Sequence, residues 1–394
     1  MTRRVNVIGV GMTKFTKPGD PQGQDYHLMG AEAANLALKD AGVEYKEVQQ
    51  AWTGYVYGDS CSGMRALYEV GKTGIPIFNV NSNCSTGSSA LFAAQQAVAS
   101  GAIDVALVLG FEKMEKGALQ AKWGDRVPAL GMHLETQLRL QQFTAAPPAA
   151  QMFGGAGIEY QKKYGISDEI FGRIAVKARI HANANPYALF SNLLSLEEIM
   201  ASPAQYGPLT RYQCCPPTCG AGAAILCSDE FAKKKGISNP VYIAGQALET
   251  DQPDSFQDSM MGMVGYGMAQ RASASVYEQA GLGADDVDVV ELHDCFTTNE
   301  LITYESLGLT PEGTAEKFIL EGDNTYGGKV VVNPSGGLLS KGHPLGATGL
   351  AQCTELVWQL RGQSEKRQVE GANVALQHNV GIGGACVVTM YRKD

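Results

Sequence analysis

The stretch IPIFNVNSNCSTGSSALFAAQQAVASG, residues 75–101, has the pattern of a short strand, a polar turn and a helix. Isoleucine, phenylalanine and valine precede the turn, and alanine and leucine recur at helical spacing after it. Strand-like and helix-like runs also alternate elsewhere, which is typical of an α/β protein. Further strands are predicted at residues 5–11, 105–110, 241–246, 287–292, 330–333 and 386–391, and a helix at 29–41.

A second stretch, NPSGGLLSKGHPLGATGLAQCTELVWQL at residues 333–360, repeats the order of a Gly-rich turn and a helix. Cys84 lies at the start of the helix in the first half of the chain, and His343 lies at the start of the helix in the second half. The segments GAGAAILCSDE (220–230) and GIGGACVVTMY (381–391) are also alike. These likenesses predict two similar halves that bring Cys84 and His343 to one shared cleft.

The region between the halves breaks this alternation. Residues 112–210 contain Pro147-Pro148, several glycines and a helical, mixed-charge stretch at 168–182. We expect an inserted cap there, with the N-terminal half at 1–111 plus 211–238 and the C-terminal half at 239–394. Two interpretations of the cap stay open, because a long insertion either shapes a substrate pocket or is a surface excursion without a functional role.

Composition excludes several kinds of partner. The 394 residues carry a formal net charge of -9, without the basic footprint that nucleic-acid binding requires. No apolar run approaches the roughly 18 residues that span a membrane. Nine cysteines, an odd number spread over a long chain, do not resemble a disulfide framework. We therefore expect free thiols and a cytoplasmic location, with a peroxisome or a mitochondrion as alternatives.

Cys84 is the first candidate for chemistry. It lies in the first turn of the predicted helix, where backbone N–H groups and the helix dipole favour a thiolate, so we expect a lowered pKa. His343 stands before Pro344, which suits a first helical position. A histidine near a thiol can accept its proton. The plainer alternatives are a small buried cysteine at a helix start and a structural histidine.

The segment VDVVELHDCF, residues 287–296, places polar residues at the end of a predicted strand. Because neighbours in an extended strand alternate between faces, we expect His293 and Cys295 to face one pocket and Asp294 the opposite side. No second histidine or cysteine follows at short ligand spacing, so we predict no metal site.

The segment NVALQHNVGIGGACVV, residues 373–388, ends a predicted strand in a Gly-rich turn. Backbone N–H groups in such a turn can bind a developing oxyanion, with His378 and Asn379 at its mouth as supporting residues. The glycine turns of the chain lack a full dinucleotide fingerprint, which argues against a nicotinamide cofactor.

Together, NSNCSTGS (81–88), HDCF (293–296), NPSGGLLSKGHPLGATG (333–349) and QHNVGIGGA (377–385) closely resemble the thiolase superfamily, and within it the sterol-carrier-protein type of thiolase. The resemblance covers essentially the whole chain. It implies a five-layered αβαβα core of two βαβαβ-type halves, an inserted loop domain and a homodimer. It also implies cleavage of 3-oxoacyl-CoA by coenzyme A to acetyl-CoA or propionyl-CoA and a shortened acyl-CoA. Acyl-CoA and coenzyme A would be the partners, with no cofactor beyond coenzyme A as substrate.

The resemblance also implies roles for single residues. Cys84 would be the acylated nucleophile, and His343 would activate it and help to hold a thioester oxygen. His293 would replace the asparagine that other thiolases use beside the first oxyanion hole. Gly381, with the backbone N–H of Cys84, would form the second hole.

One departure from the family pattern concerns the second catalytic cysteine. Most thiolases carry it in a Cys-x-Gly turn near the C-terminus, where this chain has Asn379-Val380-Gly381. In the sterol-carrier type it comes from HDCF, so the resemblance assigns the acid/base role to Cys295. We expect Cys386, a few residues past the turn, to belong to the core.

Two further departures are the pair Cys219-Gly220, where the family commonly has Asp-Gly, and the last residue, Asp394. The first leaves open what stabilises that loop. After Asp394 we expect neither the lipid-carrying domain fused to some relatives nor a Ser-Lys-Leu-like peroxisomal signal.

There are three alternatives to a degradative thiolase. A biosynthetic ketosynthase or a hydroxymethylglutaryl synthase pairs the cysteine with other partners, and HDCF together with GHPLG argues against both. A thiolase-fold carbon-carbon lyase of the aldolase branch typically lacks the nucleophilic cysteine, which Cys84 supplies here. A non-catalytic carrier of acyl-CoA or lipid would bind its ligand without forming an acyl-enzyme.

Overall fold

The computed structural model describes residues 3–115 and 123–394. Twelve strands lie in these ranges: β1 Val5–Met12, β2 Gln50–Gly54, β3 Ile77–Val80, β4 Val105–Glu112, β5 Ala204–Tyr206, β6 Leu209–Thr210, β7 Gly220–Ser228, β8 Val241–Glu249, β9 Val289–Glu291, β10 Val331–Val332, β11 Val374–Gly381 and β12 Ala385–Arg392. Every predicted strand is present, with ends that differ by at most three residues.

Fourteen α-helices lie in the same ranges: α1 Tyr26–Ala41, α2 Ser62–Tyr68, α3 Thr86–Ala99, α4 Gly131–Leu140, α5 Pro148–Tyr164, α6 Asp168–Asn183, α7 Leu196–Met200, α8 Asp229–Lys234, α9 Met260–Met263, α10 Tyr266–Ala280, α11 Thr297–Ser306, α12 Ala315–Leu320, α13 Gly337–Ser340 and α14 Leu345–Arg361. Among these described helices, none combines the length and the apolar character needed to cross a membrane.

Helix α1 shows how local sequence sets these elements. Asp25 caps its start by accepting the Tyr26 N–H at 2.8 Å, and Gly42 ends it in a left-handed conformation with φ +63°. Small residues then let the helix approach the sheet closely. A Cβ on Gly9 of β1 would lie 2.3 Å from the carbonyl oxygen of Ala37, so glycine is required at that position.

The sheet confirms the predicted duplication. Ten strands form it in the order β10-β9-β11-β12-β8-β1-β7-β4-β2-β3. The N-terminal half contributes β1, β2, β3, β4 and β7, and the C-terminal half contributes β8 to β12. When the strands are counted along the chain within each half, both halves have the same order outward from the centre of the sheet: first, fifth, fourth, second and third. The directions also agree, because in each half the fifth strand is antiparallel to both of its neighbours and the other pairs are parallel. The halves join where residues 5–7 pair with residues 241–243.

Helices complete a five-layered arrangement, as predicted. Helices α3 and α14 pack on each other and contact strands of both halves, whereas α1 covers the outer face of the N-terminal half and α10 that of the C-terminal half. Glycine brings the two central helices together. A Cβ on Gly87 would lie 2.7 Å from the Gly346 carbonyl oxygen. The layers therefore place the first residues of α3 and α14 beside each other.

The cap consists of α4 to α7 and the hairpin β5–β6, and residues 116–122 of the predicted cap lie outside the described ranges. It packs on the C-terminal half, where α5 and α6 contact α11. The ring of Phe153 on α5 stacks on Phe296 with centroids 5.0 Å apart. Lys177 on α6 forms a buried ion pair with Glu300 on α11. The cap thus reaches the segment that carries Cys295.

Candidate active site

Cys84 lies in a sharp turn between β3 and α3. Asn83–Ser85 form one turn of 3₁₀ helix, and Asn83 has φ +55°, a left-handed conformation that is uncommon outside glycine. Its Nδ2 donates to the Ile382 carbonyl oxygen at 2.8 Å, and Thr86 Oγ1 donates to the Asn83 carbonyl oxygen at 2.6 Å. The turn is therefore held both by its own helix and by the C-terminal half.

The thiol of Cys84 is half-buried and neutral at rest. Burial raises its pKa to about 12, and the nearby Glu112 carboxylate adds to the rise. The prediction of a lowered pKa was wrong. Helix α3 begins only at Thr86, so the removal of water around the sulfur outweighs the favourable end of the helix dipole.

His343 lies at the mouth of α14 as a hydrogen-bond acceptor. Pro344 caps this helix, which begins at Leu345, one residue later than predicted. His343 Nδ1 lies 2.7 Å from Thr348 Oγ1, and Thr348 Oγ1 donates to the Pro344 carbonyl oxygen at 3.1 Å. Because a hydroxyl has one proton, Nδ1 must donate to Thr348 and Nε2 carries the lone pair.

The environment of His343 keeps the ring neutral. Burial lowers its pKa to about 3. Nε2 is buried, and no hydrogen-bond partner for it lies in the described ranges. The backbone N–H of His343 donates to Thr218 Oγ1 at 3.1 Å, which fixes the residue beside the loop that contains Cys214-Cys215-Pro216, here named the CCP loop. Among the described residues Nε2 therefore keeps an unpaired lone pair, and the lowered pKa makes the ring a weak base at rest.

His293 is held by two neighbours on β11. Its backbone N–H donates to His378 Nδ1 at 3.4 Å, and its own Nδ1 lies 2.9 Å from Asn379 Nδ2. An amide nitrogen donates, so Nδ1 is the acceptor and the ring proton lies on Nε2. Burial, together with His343 and His378, lowers the pKa of His293 well below its usual range. His293 and His343 are both neutral and differ in tautomer.

The three side chains meet although they come from three distant segments. A sulfur or ring-nitrogen atom from each of Cys84, His293 and His343 lies within 4.8 Å of those of the other two. The two imidazole rings meet edge to face with centroids 5.0 Å apart. This grouping also contains ligand types for a metal, which the local spacing of HDCF did not indicate. However, Nε2 of His293 presents an N–H, which suits an oxygen atom better than a metal ion, so the absence of a metal stays a prediction.

Cys295 is buried close to this group. Strand β9 ends at Glu291, so the alternation of strand residues does not set its orientation, contrary to the prediction. Instead, its carbonyl oxygen accepts the N–H of Cys215 at 2.8 Å, which ties the segment to the CCP loop. Burial raises the pKa of Cys295 well above its usual range, and the thiols of Cys215 and Cys84 add to the rise.

Asp294 anchors the segment through its carboxylate. Its Oδ1 accepts the Leu338 N–H at 2.7 Å, and its Oδ2 accepts the Leu339 N–H at 3.4 Å. A Cβ on Gly337 would lie 2.0 Å from Asp294 Oδ2, so the first glycine of α13 makes room for the carboxylate. Asp294 therefore fixes HDCF against the segment that leads to His343.

The Gly-rich turn reaches Cys84 from the other side. Gly381 ends β11, and a Cβ there would lie 2.3 Å from the Ser82 carbonyl oxygen, so only glycine permits this approach. His378 and Asn379 lie earlier on the same strand and are buried beside His293. Burial lowers the pKa of His378 to about 3.

Sequence reasoning missed several residues that support the site. Glu112 accepts backbone N–H groups of Val56, Tyr57 and Gly346 at 3.1, 2.9 and 3.0 Å, so it joins β4 to the start of α14. No local pattern signals that role. Thr348 and Ser88 lie about one helical turn after His343 and Cys84, and that spacing is a signal that could have indicated them.

Two cysteines outside this group have structural contacts. The backbone N–H and carbonyl of Cys219 pair with Thr16 at 2.9 and 3.0 Å, and its thiol donates to the Met114 carbonyl oxygen at 3.5 Å. These contacts stabilise the loop that the Cys219-Gly220 departure left open. Cys386 is buried in the core of the C-terminal half, in agreement with the prediction.

Two family models match the chain, one in each half. The thiolase N-terminal domain matches residues 5–230, and the thiolase C-terminal domain-like model matches residues 252–391. The chain belongs to the thiolase family. This membership confirms the predicted family and fold, and it confirms the class of enzyme, a thiolase-type acyltransferase.

Individual relatives indicate which type of thiolase this chain is. The chain is 55% identical to sterol carrier protein 2 of Rattus norvegicus over 392 residues, which cover 99% of this chain and 72% of that protein. The solved structure of the Ltp2-ChsH2(DUF35) aldolase matches with a TM-score of 0.83 and 25% identity, covering 99% of this chain and 98% of that one. Human mitochondrial 3-ketoacyl-CoA thiolase in complex with CoA matches with a TM-score of 0.74 and 20% identity, covering 100% and 98%. The first relative confirms the sterol-carrier-protein type.

Proposed function

We propose that this thiolase acts in degradation, as a step of fatty-acid β-oxidation. It cleaves 3-oxoacyl-CoA with free coenzyme A to acetyl-CoA or propionyl-CoA and a shortened acyl-CoA. The meeting of Cys84, His343 and His293 within 4.8 Å is the observation that carries the proposal. Coenzyme A and acyl-CoA enter as substrates, in keeping with the CoA complex of the human structural neighbour. No resident cofactor is proposed.

Cys84 and His343 perform the first half of the reaction. With the pKa of the thiol raised to about 12 and that of the imidazole lowered to about 3, the proton does not move before substrate arrives. It moves to His343 Nε2 as the sulfur attacks the C3 carbonyl of the 3-oxoacyl group. The C2–C3 bond then breaks, the acyl group stays on the sulfur, and the electron pair passes to the acetyl-CoA enolate.

Cys295 and His293 act on that enolate. The N–H of His293 donates to the enolate oxygen, and the thiol of Cys295 gives its proton to the C2 carbon, which releases acetyl-CoA. The Cys295 thiolate that remains is buried and near two other thiols, so it readily takes a proton back. Cys295 is therefore the acid/base of the cycle.

Free coenzyme A completes the cycle. Its thiol gives a proton to the Cys295 thiolate and attacks the carbonyl carbon of the acyl group on Cys84. The carbonyl oxygen becomes an oxyanion beside the backbone N–H groups of Cys84 and Gly381. The sulfur of Cys84 leaves as a thiolate and recovers its proton from His343, so both histidines end neutral.

We also infer a homodimer, on the evidence of an exposed sheet edge. Within the described ranges β3 pairs only with β2, and Phe78 on β3 is 46% exposed. Unpaired N–H and C=O groups on an edge strand favour pairing with another strand.

All nine cysteines lie in the described ranges and are free, which supports a reducing compartment such as the cytoplasm.

The deciding experiment follows acetyl-CoA release from acetoacetyl-CoA with and without free coenzyme A. A thiolase produces two acetyl-CoA per acetoacetyl-CoA, and only when coenzyme A is present. Cys84→Ala should abolish the reaction, and the exposed Cys61→Ser should retain it. Binding without release would instead support a carrier, and repeated turnover without coenzyme A, beyond one acetyl-CoA per enzyme, would support a carbon-carbon lyase.

A further inference from the structure

A buried chain of hydrogen bonds crosses the centre of the molecule and ends on the ring of His293. It links side chains of β12, β11 and α3, all of them buried. The links are Tyr391 OH to Gln377 Oε1 at 2.5 Å, Gln377 Nε2 to Ser88 Oγ at 2.9 Å, Ser88 Oγ to Asn379 Oδ1 at 2.9 Å, and Asn379 Nδ2 to His293 Nδ1 at 2.9 Å.

Gln377 fixes which group donates and which accepts in this series of hydrogen bonds. Its Nε2 lies 2.7 Å from the Gly349 carbonyl oxygen, and a backbone carbonyl can only accept. The amide nitrogen must therefore face Gly349 and Ser88, and the amide oxygen must face Tyr391. A turned amide would place two oxygens against each other in a dry interior, which is unfavourable.

Ser88 passes this direction on to His293. Its oxygen accepts from Gln377, so its single proton is free for Asn379 Oδ1. The amide nitrogen of Asn379 then faces His293 Nδ1, which accepts and leaves the ring proton on Nε2. If Asn379 were turned, the Ser88 proton would lose this acceptor in a buried position. A Cβ on Gly349 would lie 2.2 Å from Ser88 Oγ, so glycine leaves room for the hydroxyl.

We propose that Ser88 is a positioning residue, which acts through Asn379 to fix His293 as an Nε2–H donor. His343 has the opposite tautomer because Thr348 accepts from its Nδ1. Two neutral histidines side by side thereby acquire different tasks, one giving a hydrogen bond and one taking a proton. The effect on turnover rests on the proposed function, in which His293 donates to the enolate oxygen.

Ring-nitrogen spectroscopy tests the assignment directly in the wild type. In two-bond ¹H–¹⁵N correlation spectra of protein labelled with ¹⁵N-histidine, protonated and bare ring nitrogens are distinct. The chain has 6 histidines, and His293→Asn and His343→Asn identify the two patterns by their loss. We expect the proton on Nε2 of His293 and on Nδ1 of His343. A proton on Nδ1 of His293, or on both of its nitrogens at pH 7, would overturn the proposal whatever the enzyme's activity.

Ser88→Ala tests the positioning role. We expect a kcat lower by about tenfold, an unchanged KM for acetoacetyl-CoA, and a His293 pattern shifted toward the Nδ1–H tautomer, because a partly misdirected donor loses part of its stabilisation. His343 should keep its own pattern and so serves as an internal reference. An unchanged kcat, or a lower kcat with an unchanged His293 pattern, would contradict the role.

Thr354→Val is the matched control. Thr354 also has a buried hydroxyl, but this hydroxyl donates to the Leu350 carbonyl oxygen of its own helix at 2.8 Å. It is not one of the hydrogen-bonded side chains that link Tyr391 to His293. We expect the wild-type kcat and the wild-type spectrum.

If Ser88→Ala fails to fold, Tyr391→Phe provides the second variant. It removes the first link while the Gly349 carbonyl still orients Gln377, so His293 should keep its tautomer, and inversion there would contradict the account.

Discussion

The two halves of the chain share one strand order and yet hold their reactive residues differently. Cys84 lies half-buried in a left-handed turn two residues before α3, whereas His343 is buried directly before the proline that caps α14. A half-buried sulfur can be reached by a thioester, and a buried imidazole stays neutral. Duplication thus supplies two equivalent helix ends, and their difference in burial fits the proposed roles of Cys84 as the nucleophile and His343 as the base.

The outer edge strands of the two halves also differ in burial. At the edge of the C-terminal half, β10 is buried, and Lys177 of the cap donates to the Val332 carbonyl oxygen at 3.2 Å. At the edge of the N-terminal half, β3 is largely exposed. The cap therefore belongs to one half and leaves the other edge exposed, where the proposed homodimer would place its second subunit.

Removing the proposed base should have the largest effect. His343→Ala should lower kcat by about 10³-fold with little change in KM, because general base catalysis contributes on that scale. His27→Ala, a change on the N-terminal half away from the group, should retain activity. Steady-state kinetics with acetoacetyl-CoA measure both, and a loss below about tenfold would mean that His343 is not the proton acceptor.

The ion pair that joins the cap to α11 should have the next largest effect. The side chains of Lys177 and Glu300 are almost completely buried, so Lys177→Met should lower the free energy of unfolding by about 3 kcal/mol. Arg173→Met breaks the exposed pair with Glu169 on the same helix and should lower it by less than about 1 kcal/mol. Urea unfolding compares the two, and equal losses would contradict the anchoring role of Lys177.

The exposed edge of β3 supplies a third prediction. Phe78→Asp places a charge on this edge and should raise the dissociation constant of the dimer by about 100-fold, as expected for a central aromatic contact. Leu320→Asp is the matched control, since Leu320 is 54% exposed on the C-terminal half. Sedimentation velocity over a range of concentrations distinguishes them. A dimer that persists in Phe78→Asp would place the interface elsewhere.

The smallest effect concerns the pH dependence of Cys84. Its pKa is raised to about 12, so the thiol is protonated at neutral pH and the thiolate fraction grows as pH rises. Alkylation of Cys84 by iodoacetamide should accelerate about tenfold per pH unit between about pH 7 and 10, because only the thiolate reacts. Peptide mass spectrometry gives the rate, and a plateau below pH 9 would show that burial does not dominate the pKa.

The sequence was sufficient for much of the fold and for the candidate residues. The position of Cys84 between a strand and a helix is encoded by local residue order, and the repeat of that order predicted that Cys84 and His343 share a cleft. The pKa of Cys84 was not predictable, because it depends on burial and on Glu112, which lies 28 residues away in sequence. The tautomer of His293 depends on Ser88 and Asn379, which are separated by 291 residues and meet only in the folded chain.

The most direct test of the central claim is to locate the acyl group. The wild-type protein is mixed with acetoacetyl-CoA without free coenzyme A, quenched in acid and digested with trypsin. Cys84 is the only cysteine of the tryptic peptide 73–113, and Cys295 is the only one of peptide 272–317. The account predicts one acetyl group on peptide 73–113. An acetyl group on peptide 272–317, or none on either peptide, would contradict it.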